Sequence, residues 1–110
     1  MNLLVVLSTF PDAAAASAAA KVLVGEKLAA CVNVVPGISS TYMWDEKIET
    51  AAEALAIIKT TADAWPALEH RLAELHPYDT PEIVALPAER VLAAYGEWVK
   101  NSCAAEHRPR

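Results

Sequence analysis

The chain has 110 residues, a net charge of −5 and an isoelectric point near 5.1, which sets the expectation at one domain. Its nine lysines and arginines are spread singly until the C-terminal tail, which argues against a nucleic-acid groove and an anionic membrane surface. Two cysteines without CxxC spacing, Cys31 and Cys103, exclude a disulfide scaffold, so a reducing cytoplasm is the expected compartment.

Residues 2–8 form a continuous Leu/Val run, as expected of a central strand buried on both faces. The run is too short to span a bilayer and lacks the basic start of a leader. Phe10-Pro11-Asp12 stops it, and the alanine-rich segment 12–27 predicts a helix. Ala16, Ala19, Ala20 and Leu23 fall on one helical stripe of small side chains, which lets the helix sit close to a sheet. Residues 28–35 return to strand.

Residues 30–61 dominate the pattern. Ile38, Ser40, Tyr42 and Trp44 alternate with Ser39, Thr41 and Met43, and residues 48–60 alternate again after the polar break Asp45-Glu46-Lys47. Two period-2 runs across a short polar turn predict a hairpin. Each arm holds roughly 14 residues, about 46 Å at ~3.3 Å per residue. A domain of this size has a diameter of roughly 34 Å, so the far half of the hairpin is expected to pack on another copy of the chain. Pro36-Gly37 predicts a bulge in the first arm.

Beyond the hairpin, Thr61-Ala62-Asp63 predicts the cap of a second helix, with Pro66 in its first turn and Leu68, Leu72 and Leu75 on its core face. His76-Pro77 ends it. Residues 82–86 predict a short strand between prolines. Residues 89–100 predict a third helix with Leu92, Tyr95, Trp98 and Val99 on one side, weakened by Gly96. Residues 103–110 carry no pattern and read as a disordered tail, leaving 1–102 as the single domain. The order βαββαβ plus a C-terminal helix predicts an α+β, ferredoxin-like fold, an antiparallel sheet with its two main helices on one face.

The densest polar cluster is His76-Pro77-Tyr78-Asp79-Thr80-Pro81-Glu82. On chemistry alone it reads as a helix stop with a local histidine cap rather than as a metal site, since one histidine does not make one. Lys59, late in an apolar strand, requires a carboxylate such as Glu53 or Glu82, a ligand, or an edge position that lets it reach water. Cys31 reads as a small buried hydrophobe. Tyr42, Trp44, Tyr95 and Trp98 suit a core, an interface or ligand stacking. No phosphate-binding loop, nucleophile elbow or paired nucleophile and base is present in the sequence, and no enzymatic activity is expected.

The runs Leu28-Ala29-Ala30-Cys31-Val32-Asn33 and Pro36-Gly37 lead to Ser40-x-Tyr42-x-Trp44 and Glu53. With Ile58-Lys59-Thr60-Thr61, His76-Pro77-Tyr78-x-x-Pro81-Glu82 and Tyr95-x-x-Trp98, they resemble the CutA divalent-cation tolerance proteins over residues 3–101. The resemblance implies a tight homotrimer built by the long hairpin, a shape shared with PII signalling trimers, and a role in tolerance of copper and other divalent metals. Members for which copper ligation is proposed carry Cys after the first strand and His-His before Pro-Tyr. This chain has Ser8 and Leu75 there, which implies weak binding through His76. The alternative is a PII-like signalling or adaptor module holding a small anion or a protein partner in intersubunit clefts lined by Tyr42, Trp44, Lys59 and Tyr78.

Overall fold

The computed structural model describes residues 2–103. It orders them as β1 (Leu3–Phe10), α1 (Ala13–Gly25), β2 (Cys31–Trp44), β3 (Lys47–Thr61), α2 (Trp65–Leu75), β4 (Val84–Pro87) and α3 (Ala93–Ser102). The strands make one antiparallel sheet in the order β2-β3-β1-β4. This is the ferredoxin-like arrangement with an added helix.

Alternation along β1 and β3 decides where the core lies. Val6, Ser8 and Phe10 of β1 and Ala54, Ala56, Ile58 and Thr60 of β3 are buried. The apolar members of that face pack with Ala16, Ala19 and Leu23 of α1 and Leu68 and Leu72 of α2. The small side chains on both sides allow the helix to approach closely, as the alanine stripe predicts. The intervening residues Val5, Leu7, Leu55 and Ile57 are only half-buried. With Val35, Val84 and Leu86, each more than a third exposed, they form a broad apolar face that no helix among the described residues covers. The expectation that β1 is buried on both faces therefore holds on one face only, because both main helices lie on the same side.

Asp12 caps α1 by accepting the Ala15 N–H at 2.8 Å. The helix ends at Gly25 rather than at residue 27, and Lys27 takes a left-handed backbone (φ 61°) that turns the chain into β2. Thr61 Oγ1 accepts the Ala64 N–H at 3.1 Å just before α2, and Pro66 stands in its first turn. β4 starts at Val84, two residues later than expected. α3 also starts later, and its buried residues are Gly96 and Val99. Leu92, Tyr95 and Trp98 are exposed, so of the four residues expected on one side of the helix Val99 alone is buried. The buried glycine explains this, since the helix contacts the body of the protein along the side without bulk. Cys103, just beyond α3, is buried beside Thr60; the rest of the expected tail lies outside the described residues.

The hairpin turns on two residues, Asp45 and Glu46, both at positive φ (50° and 63°), with Trp44 paired to Lys47. That is the primed turn geometry whose twist matches the strands, and it leaves Lys47 inside β3. Near the base, Val35 pairs with Leu55, and beyond the break Ile38 pairs with Glu53. Pro36 and Gly37 (φ 70°) thus stand together opposite Ala54, the expected bulge. The extra residue reverses the parity of β2. Val32 and Val34 pack toward the helices, whereas Tyr42 pairs with Glu49 and Ser40 with Ala51 on the opposite face. The longest dimension of the structure, 45 Å, is set by these arms.

Candidate functional site

His76 ends α2 with an extended backbone, as a residue before proline must. Its ring is buried and stacks on Phe10 at 4.3 Å between centroids. Nδ1 accepts the Tyr78 N–H at 3.2 Å, so the ring proton lies on Nε2, which donates to the Thr9 carbonyl at 2.8 Å. Burial pushes the His76 pKa down, opposed by the Thr9 carbonyl and the Glu53 carboxylate. Both nitrogens are thus occupied, and a metal ligating this ring must displace Tyr78 or Thr9. Pro77 then aims Tyr78 at the hairpin, where its hydroxyl donates to Glu53 Oε2 at 2.6 Å. Burial, then Glu53, pushes the Tyr78 phenol up to about 12. This chain of contacts ties the end of β1, the loop after α2 and the distal hairpin together.

Between the loop and the hairpin lies an open cleft of about 1190 Å³, to which Tyr42, Trp44, Glu49, Glu53, Tyr78 and Asp79 contribute. The bulge explains why Tyr42 faces it with Glu49, since cross-strand partners share a face. Of the expected cleft residues, Tyr42, Trp44 and Tyr78 are brought together. Lys59 is not among those lining the cleft. It pairs with Val5 and Cys31 near the base of the sheet, and its ammonium donates to Asn33 Oδ1. Glu53, one of its expected carboxylate partners, lies six residues away along β3, opposite Ile38, and bonds Tyr78 instead. Asp79 belongs to the polar cluster after α2, whereas Glu49 carries no sequence signal of its own; the two-residue turn and the bulge, once known, place it opposite Tyr42.

The family described as "CutA1 divalent ion tolerance protein" matches residues 4–102. The chain belongs to the CutA1 family. A divalent-cation tolerance protein CutA of Thermus thermophilus is 46% identical over 98 residues, covering 89% of this chain and 95% of that protein. A chloroplastic CutA 1 of rice is also 46% identical, over 90% of this chain and 56% of its own length. Among solved structures, the Xylella fastidiosa CutA has a TM-score of 0.92 at 40% identity, covering 94% of this chain and all of that one. One CutA structure, from Archaeoglobus fulgidus, is described as periplasmic (TM-score 0.89, 35% identity, 93% of this chain and 99% of that one). Among the described residues of this CutA1 family member, no helix is long and apolar enough to cross a membrane.

Proposed function

We propose that this chain acts in tolerance of divalent metal ions as a cytoplasmic, non-catalytic homotrimer that binds copper or another divalent cation weakly. The observation carrying this reading is the family match over residues 4–102, with relatives named for divalent-cation tolerance. The apolar sheet face supports self-assembly, because Val35, Val84 and Leu86 remain exposed in the isolated chain and patches of this kind mark interfaces. Metal contact falls to His76. Its Nδ1 becomes a ligand only when the Tyr78 N–H lets go, so binding carries the energy of reopening the loop and is weak. His76 cannot be both a buried acceptor and a ligand. A calorimetric copper titration of the tag-free protein, with His76→Ala alongside, tests this. Saturable binding lost in the variant supports it; binding unchanged in the variant moves the metal elsewhere; none in the parent ends the direct metal reading.

The PII-like alternative, a small anion in the cleft, gains less support. Its cation, Lys59, sits beside Asn33, while the cleft itself is lined by carboxylates.

A further inference from the structure

One residue satisfies two separate acceptors where the loop after α2 meets the hairpin. Tyr78 gives its backbone N–H to His76 Nδ1 at 3.2 Å and its hydroxyl to Glu53 Oε2 at 2.6 Å. The acceptors are an imidazole nitrogen and a carboxylate oxygen, both atom types that bind divalent metals. The rest of the ring is already set as in a metal-bound histidine. Nε2 donates to the Thr9 carbonyl at 2.8 Å, which fixes the tautomer that leaves Nδ1 its lone pair, and stacking on Phe10 fixes the ring plane. Glu53 lies close enough for its charge to act on His76. All of these are contacts within one chain, not exposures that a second copy would remove.

We propose that Glu53 is a second metal ligand beside His76, and that Tyr78 is the cap that occupies both. This deepens the reading of His76 as the metal contact and rests on it. The two capping groups belong to one residue, so a turn of the chain after Pro77 withdraws them together and frees a nitrogen and an oxygen at once. Withdrawing Tyr78 leaves the part-buried Glu53 carboxylate without its donor, a cost that a cation shared with His76 offsets. Among the described residues no group of three or more His, Cys, Asp or Glu side chains is placed to hold a metal. The pair therefore leaves the other positions around the ion to water while the cap competes for it, and both effects keep binding weak.

The test is a calorimetric copper(II) titration of the intact protein and its variants. His76→Ala should abolish binding. Glu53→Gln should weaken it about tenfold, whereas Tyr78→Phe, which keeps the N–H and removes the hydroxyl, should tighten it about three- to tenfold. The opposite signs are decisive, because if His76 alone held the ion both substitutions would only loosen the cap and both would tighten binding. Glu69→Gln removes an equal charge from the exposed side of α2 and should change nothing. Circular dichroism and light scattering on each variant confirm folding and assembly, and Glu53→Ala takes the place of Glu53→Gln should the latter not fold. Binding lost in His76→Ala but not weakened by loss of the Glu53 carboxylate overturns the second ligand and leaves the His76 reading standing. Tyr78→Phe without tightening overturns the cap. Binding that survives His76→Ala, or none by the parent, overturns the His76 reading and the proposal with it.

Discussion

At His76, one ring joins three backbone and side-chain groups, and its protonation state follows from them. Burial disfavours the charged ring, so the folded state favours neutral imidazole and the His76 pKa falls below the ordinary 6.5; Nδ1 in turn uses its lone pair to hold the Tyr78 N–H. The unfolded chain takes up the proton first as pH falls. This contribution to stability is therefore present above about pH 6.5 and is lost as pH drops through 6.5 toward the folded value. Chemical denaturation across that interval should show it, and His76→Gln should flatten the dependence. Tyr78 has the opposite sense. Its phenol, pushed up to about 12, stays protonated in the folded protein after an exposed tyrosine ionises near 10, so stability declines as pH rises through that interval. In an ultraviolet titration, the Tyr78 transition should lie well above 10, and Glu53→Gln should bring it down. A Tyr78 that ionises near 10 would contradict the hydrogen bond.

Among the elements, the hairpin and the helices show which features were legible. Period-2 alternation and the polar break located both arms of the hairpin, and Pro36-Gly37 located the bulge, because each feature is a local backbone property. The face of α3 was not legible. Leu92, Tyr95 and Trp98 form an apolar stripe, yet the body of the protein meets Gly96 and Val99. Periodicity reports that a helix has two sides, not which surface covers each. Likewise, Lys59 and Asn33 meet across β2 and β3, a contact that exists only once the register is set. Two glycine substitutions test the backbone reading. At Gly37 a Cβ meets nothing within 4 Å, but φ is +70°, so Gly37→Ala should cost about 1–2 kcal/mol through backbone strain alone. Gly25 ends α1 with equally open space and no positive φ; Gly25→Ala should be neutral or stabilise by about 0.4–1 kcal/mol. Denaturant midpoints of the two variants measure the difference.

For the whole molecule, the helix-covered and uncovered faces of the sheet make separable predictions. Leu72 is fully buried between α2 and the sheet, and Leu72→Ala should lower stability by roughly 2–5 kcal/mol without changing the oligomeric state. Ile57 lies on the uncovered face. On the proposed homotrimer, Ile57→Glu should leave secondary structure intact while reducing the mass in light scattering from three times 11.8 kDa toward a single chain. A wild-type monomer would remove the assembly from the proposed function. The ferredoxin-like order was readable from the succession of elements, and Tyr42, Trp44 and Tyr78 were named as cleft residues from the sequence, whereas the absence of Lys59 from the cleft and the presence of Glu49 in it needed the folded chain.

The two-residue turn at Asp45-Glu46 also bears on how the protein comes to exist in the cell. Its arms pair residues that are near neighbours in the chain, so β2 and β3 can zip from Trp44 and Lys47 on the microsecond scale of isolated hairpins. β1 must instead find β3 across the whole intervening segment, with Phe10 meeting Ala54, and such distant pairing is slower. A newly made chain therefore passes through a period in which a long, partly apolar ribbon is formed before its core or its neighbours cover it. At the sheet edge formed last, four-residue β4 ends in Pro87 and offers little template, but the other edge strand is β2, 14 residues long, so the ribbon presents a long row of unpaired backbone groups to other chains until it is covered.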